Sequence, residues 1–254
     1  MGDELAMKII DLTDKRIVIT GAASGIGRAT AIVAAREGAK VSLVDINAEG
    51  ISETHSKLYG EGHSEYVADL SAPSSLEGVV DRIVGDYGNV NGIVHCAGIS
   101  SRRPIGVIKQ EPFNKLMQIN FYSFVELVRL FSKRGRLADG GSVVVMSSIS
   151  SLRGFKAKTE YCASKAAVDA FVRCAALELA GRGIRVNSVM PAEVLTPMAL
   201  RARSINDTVN AADFVAPLGP STPQEVANTI AFLLSDATKT ISGTSIRIDG
   251  CACV

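Results

Sequence analysis

The chain is 254 residues long, enough for one large α/β domain and short for two. With 47% apolar and 21% charged residues it is not a disordered chain. Lysine and arginine total 27 against 26 acidic residues, a net charge of +1 that supplies neither the basic excess needed for nucleic acid nor a one-sign field for a membrane surface.

The first stretch, MGDELAMKIIDLTDK, mixes charges and lacks the apolar core of a secretory leader, so a cytoplasmic location is expected. Arg16–Thr20 reads as the first strand and runs straight into Gly21-Ala-Ala-Ser24-Gly25-Ile26-Gly27, with a helical pattern over Gly25–Glu37. Glycines permit a tight strand-to-helix turn and let a ligand approach bare backbone. The helix start adds unpaired N–H groups and a positive dipole end. The spacing is GxxxGxG, and a purely structural turn is the alternative; its position after a strand and before a helix favours a dinucleotide.

The second strand, Lys40–Asp45, ends on Asp45, eighteen residues after Gly27. A carboxylate there can accept hydrogen bonds from both ribose hydroxyls of NAD. It would repel a 2′-phosphate by about 4 kcal/mol per charge pair at an effective dielectric near 20. NAD(H) is therefore expected in preference to NADP(H). A strand-ending turn role for Asp45 fits the local sequence equally well and loses only on spacing; Arg28 could approach a phosphate.

The alternation continues with helix Ala48–Tyr59, strand Glu65–Ala68, helix Pro73–Tyr87, strand Gly92–His95 and helix Pro112–Lys133. Strand Ser142–Ser147, helix Glu160–Gly181, strand Arg185–Met190, helix Pro223–Ser235 and strand Thr244–Ile248 complete it. Short β-branched runs alternating with longer helices predict a single α/β domain with a seven-stranded parallel sheet. Apolar runs such as Val143-Val144-Val145-Met146 predict helices on both faces. Residues 193–220, with Pro197, Pro217 and Pro220, interrupt the pattern and read as a lid.

Tyr161 and Lys165 are four residues apart in a predicted helix, hence on one face. An ammonium beside a phenol favours the phenolate, so a depressed Tyr161 pKa is expected and Tyr161 becomes a candidate acid/base. Ser148 leaves an apolar strand thirteen residues earlier, at the strand end where sites form in open parallel sheets, and can hydrogen-bond a substrate oxygen. A turn or N-cap role for Ser148 is the alternative. The five cysteines, Cys96, Cys162, Cys174, Cys251 and Cys253, lack paired CxxC spacing and read as reduced thiols, and no metal is expected.

These residues together resemble the short-chain dehydrogenase/reductase family from Thr20 to Gly250. The resemblance rests on Thr20 through Gly27, Asp69, Ala97-Gly98, Asn120, Ser148, Tyr161-x-x-x-Lys165 and Pro191 through Thr196-Pro197-Met198. It implies a doubly wound Rossmann domain and a Ser148–Tyr161–Lys165 centre, with Asn120 holding a water of a proton relay. It further implies that Lys165 binds the nicotinamide ribose, Thr196 the carboxamide, and Asp69 with Leu70 the adenine. A homotetramer, with Pro112–Lys133 and Glu160–Gly181 across one interface, is implied as well. The sequence departs from the family at His95-Cys96, where two asparagines are usual, at Pro191-Ala192-Glu193, and at Asp249-Gly250-Cys251. For His95, a satisfied buried imidazole is expected over a catalytic one.

The expected activity is NAD(H)-dependent interconversion of a secondary alcohol and a ketone, with a small-molecule substrate and neither nucleic acid nor membrane as partner. The alternatives are a 3-oxoacyl-thioester reductase using NADPH and a non-catalytic dinucleotide-binding scaffold. Substrate choice is expected to rest on 193–220, Ile99–Pro104 and Leu152–Lys158. Arg102, Arg103, Arg153, Arg201 and Arg203 in these stretches hint at a polar or anionic substrate, solvated surface arginines being the simpler reading.

Overall fold

The strands are β1 (Arg16–Thr20), β2 (Lys40–Asp45), β3 (Ser64–Val67), β4 (Val90–His95), β5 (Leu137–Met146), β6 (Arg185–Pro191) and β7 (Ser245–Ile248). They form one sheet in the order β3-β2-β1-β4-β5-β6-β7, every neighbouring pair parallel. The computed structural model describes residues 9–200 and 216–253. Most of the predicted lid, with Arg201 and Arg203, therefore lies outside the described residues.

The helices are α1 (Gly25–Arg36), α2 (Ala48–His55), α3 (Pro73–Tyr87), α4 (Gln110–Met117), α5 (Ser123–Phe131), α6 (Thr159–Leu179) and α7 (Pro223–Leu234). Successive strand residues point to opposite faces, so each strand feeds two cores. Val18, Val143 and Val145 join Leu76, Val80, Phe124, Phe131, Val168 and Val172 on one side. Ile17, Ile19 and Val144 join Ala31, Ala34, Ile230 and Leu233 on the other. This double burial is why the strands read as unbroken apolar runs. Among the described residues no helix is long and apolar enough to cross a membrane.

Besides shifts of a few residues at element ends, the largest at α2, which stops at His55 rather than Tyr59, two elements differ from the sequence expectation. β5 begins at Leu137, five residues early, and its pairing with β4 shifts register between Val90 and Gly92. The predicted Pro112–Lys133 helix is interrupted: a π-helical turn over Gln118–Tyr122 separates α4 from α5. Apolar spacing alone does not reveal an inserted residue in a helix, because both flanks keep their 3.6-residue period. Such turns recur at functional positions, and this one carries the buried Asn120.

Candidate active site

Strand order reverses between β1 and β4, so the connections leaving these two strands diverge and open a crevice at their carboxyl ends. The glycine turn forms one wall. Gly21 has φ +67, and a Cβ there would lie 2.7 Å from the Ala97 nitrogen; a Cβ on Gly27 would lie 2.1 Å from the Gly21 carbonyl oxygen. Neither position accommodates a side chain, and together they leave the backbone bare. Ser24 sits at the N-cap of α1 but its side chain makes no capping bond, and the first turn holds no acidic residue. The N–H groups and the dipole end there remain available to an anion. Ile26 packs its side chain towards the core behind this turn. Across the crevice, the Thr196 methyl would lie 3.4 Å from a Cβ on Gly25. Pro191 closes β6 opposite Ile248.

Asp45 sits where the spacing put it. Its carboxylate accepts from the Ala23 nitrogen of the glycine turn at 3.1 Å and from the Asn47 nitrogen at 3.0 Å. The turn-forming role and the position beside the crevice thus coexist. Arg28 holds Glu53 at 2.6 and 2.8 Å and the Ala23 carbonyl at 2.5 Å, tying α1 to α2. Asp69 is exposed at the end of β3, accepts from the Ser71 nitrogen and hydroxyl, and is held below the usual carboxylate range by those bonds. Leu70 turns its side chain into the core.

The residues expected to transfer the proton lie beyond β5. Ser148 is buried in extended backbone immediately after the strand and accepts from the Ser150 nitrogen at 3.2 Å, capping a short helical turn, so its cap role and its site position also coexist. Tyr161 and Lys165 share a face of α6. Lys165 is 4% exposed; its Nζ donates to the Met146 carbonyl at 2.7 Å and lies 5.7 Å from the Tyr161 ring centroid. Burial pushes the ammonium down to about 8, against the pull of Asp169 one turn further along. The expected depression of Tyr161 is not what this geometry produces. Burial pushes the phenol up to about 12, the hydrogen bond with Ser148 opposing it. Loss of hydration on burial disfavours the charged phenolate, and this outweighs the single hydrogen bond from Ser148.

Ala97 and Gly98 link the two halves of the site. A Cβ on Gly98 would lie 3.3 Å from Asn120 Oδ1 and 3.8 Å from Lys165 Nζ. Asn120 Oδ1 accepts from the Ile99 nitrogen at 2.8 Å, while Nδ2 donates to the Ile99 carbonyl at 2.9 Å and to Ser164 Oγ at 3.1 Å. Its side chain thereby fastens the loop after β4 to α6. The departure at His95 is accommodated by a chain of hydrogen bonds. Ser123 Oγ donates to the Ile119 carbonyl at 2.7 Å, which leaves it to accept from His95 Nε2 at 3.3 Å. His95 Nδ1 then accepts from Thr20 Oγ1 at 2.9 Å. The ring is a satisfied core group stacked on Phe124, not a catalytic base.

Burial holds the His95 pKa down to about 3, against 6.5 for an ordinary imidazole. Between those values the unfolded chain binds the proton that the folded chain refuses, so this group's contribution to stability is lost as pH falls. His95→Asn is expected to lose less of its urea midpoint between pH 7 and pH 4.5 than the parent; equal losses would overturn the assignment.

Glu160, immediately before Tyr161, carries no sequence signal and is nonetheless central. Its side chain is 2% exposed and accepts from Arg103 at 2.9 and 3.1 Å and from Ser101 Oγ at 2.5 Å. Partners 57 and 59 residues away are set by the fold and leave no local pattern.

A protein-family model described as Enoyl-(Acyl carrier protein) reductase matches residues 21–251. D-threitol dehydrogenase of Mycolicibacterium smegmatis is 32% identical over 94% of this chain and 93% of that protein. 3-oxoacyl-[acyl-carrier-protein] reductase of Thermotoga maritima is 34% identical over 94% and 98%. Among solved structures, a blue fluorescent protein from a metagenomic library in complex with NADPH is similar with a TM-score of 0.87 and 25% identity, over 96% of this chain and 100% of that one.

Proposed function

The chain belongs to the short-chain dehydrogenase/reductase family, oxidoreductases acting on CH–OH groups, and from that premise we propose that it interconverts a secondary alcohol and a ketone with NAD(H). The observation that carries this reading is the convergence of Ser148, Tyr161 and Lys165 on a crevice whose opposite wall is bare glycine backbone. The residues fit a dinucleotide: the uncapped start of α1 with Gly21, Ser24, Gly25, Ile26 and Gly27 would hold the pyrophosphate. Asp45 would hold the adenosine ribose and Asp69 with Leu70 the adenine. Ala97, Gly98, Lys165 and Tyr161 would flank the nicotinamide ribose, with Pro191 and Thr196 at the carboxamide.

When bound, the dinucleotide supplies the hydride acceptor or donor. The rest belongs to this chain. Ser148 Oγ hydrogen-bonds the substrate oxygen and orients it towards Tyr161. The Tyr161 hydroxyl passes its proton to that oxygen in ketone reduction and, as phenolate, accepts it in alcohol oxidation. Lys165 brings positive charge near the phenol and would hold the ribose. Asn120 keeps the loop after β4 in register with α6 and holds a water of the relay. The relative acting on D-threitol supports an alcohol substrate. Leu177 and Tyr122, 81% and 51% exposed on the helices expected at an interface, are available for self-association, for which the family resemblance implies a homotetramer.

Absorbance of the reduced cofactor over sugars, polyols, hydroxy acids and steroids with NAD tests the reading. Tight NADH binding without turnover of any member would replace it with the scaffold; turnover of 3-oxoacyl thioesters with NADPH alone would replace it with the reductase of lipid synthesis. Asp45→Ser is expected to shift the ratio of kcat/KM for the two cofactors about 100-fold towards NADP, since it removes the charge that repels a 2′-phosphate. An unchanged ratio would remove Asp45 from cofactor choice.

A further inference from the structure

Among the described residues around the site, the arginines of the β4–α4 and β5–α6 connections are engaged except one. Arg103 is fixed on Glu160, and Arg153 donates to the Ala252 carbonyl at 3.2 Å while covering the Phe155 ring. Arg102 has an Nη2 that is buried from solvent with no acceptor.

Its position is set from both sides. Ile99 is held through its nitrogen and carbonyl by Asn120. Ser101 and Arg103 both rest on Glu160, and the Arg103 nitrogen donates to the Ala157 carbonyl at 2.7 Å. Arg102 is thus carried by a loop pinned to the residue that precedes Tyr161 and to the connection that leads into α6. The same rim is basic: Lys156 is exposed, and Lys158 Nζ lies 5.5 Å from the Tyr161 ring centroid. Glu160, the carboxylate nearest in sequence to Tyr161, is already matched by Arg103.

A guanidinium nitrogen taken out of water without an acceptor is unfavourable; Arg136 has such a nitrogen as well, but its neighbouring Nη2 is matched by Asp81, whereas Arg102 is carried on the loop beside Tyr161, where a ligand oxygen would supply the missing partner. The planar guanidinium matches the paired oxygens of a carboxylate or phosphate. We infer that Arg102 binds an oxyanion on the substrate, so that the enzyme acts on an alcohol or ketone bearing a carboxylate or phosphate group. The inference rests on the oxidoreductase reading above and adds the substrate class to it. Basic neighbours raise the local concentration of such a substrate.

Matched substrates test it in the intact enzyme: a hydroxy acid and its methyl ester, and a hydroxyalkyl phosphate and the corresponding neutral diol. The KM of the anion is expected to lie at least about tenfold below that of its neutral counterpart, and Arg102→Ala to raise it roughly 30-fold, erasing the preference. Arg102→Lys, which keeps charge but not the fork, retains part of it. The acid and phosphate arms separate the two oxyanions. Malonate and inorganic phosphate provide a test in the unaltered protein: one of them is expected to compete with the alcohol, less well at high salt. Equal KM values for anions and neutral partners, with neither ion inhibiting while neutral alcohols are turned over, would overturn the inference alone. No turnover of any alcohol, with or without charge, would instead remove the reading beneath it.

Discussion

Tyr161→Phe is expected to lower kcat by about 1000-fold while NADH fluorescence titrations show binding within a few-fold of the parent. The substitution deletes one oxygen and leaves the aromatic ring in place on α6. The physical ground is the proton. Burial pushes the phenol up to about 12, so the neutral hydroxyl predominates at working pH. That form is ready to donate, and ketone reduction has its acid in place near neutrality. Alcohol oxidation requires the phenolate, so its rate is expected to climb with pH on the alkaline side while reduction does not. A Phe variant that keeps more than a tenth of the parent rate would end the assignment of Tyr161 as the proton carrier. Ser148→Ala is the companion measurement, since it removes the hydrogen bond that draws the phenol pKa back down.

The second large effect falls on the cofactor wall. Gly27→Ala places a Cβ 2.1 Å from the Gly21 carbonyl oxygen and 2.7 Å from its carbon. Both are backbone atoms in the turn between β1 and α1, so no rotamer relieves the clash. The turn must open, and opening it moves the N–H groups at the start of α1. Overpacking of this kind costs about 3 kcal/mol, enough to lower the unfolding midpoint by about 10 °C in a chain of this size. NADH affinity is expected to fall at least about 100-fold. Gly85→Ala in α3 is the control: a Cβ there meets nothing within 4 Å, so it is expected to be neutral or to stabilise by up to about 1 kcal/mol through helix propensity. Equal behaviour of the two variants would show that the glycine turn is not a tight cradle.

Much of this site is legible one segment at a time. The GxxxGxG turn, Asp45 at the end of its strand, Ser148 at the end of another, and Tyr161 with Lys165 on one helical face are each local patterns. The topology then places strand ends together, because a parallel sheet brings every carboxyl end to the same edge. What the pattern does not carry is the electrostatic outcome. Proximity of Tyr161 and Lys165 suggests a depressed phenol; burial dominates the phenol instead.

Sequence alone determined the α/β class, the order of elements, the glycine turn and the placement of Tyr161 and Lys165 on one helical face, since all of these follow from short-range periodicity, spacing and side-chain chemistry. Tertiary structure decided the π-helical turn that carries Asn120, the hydrogen-bond chain that makes His95 a core group, the Glu160 pair with Arg103, and the unmatched Arg102. The reason is physical: desolvation and hydrogen-bond partnership depend on which groups lie within a few ångströms after folding, and residues 57 apart in the chain reach that distance only through the packed sheet.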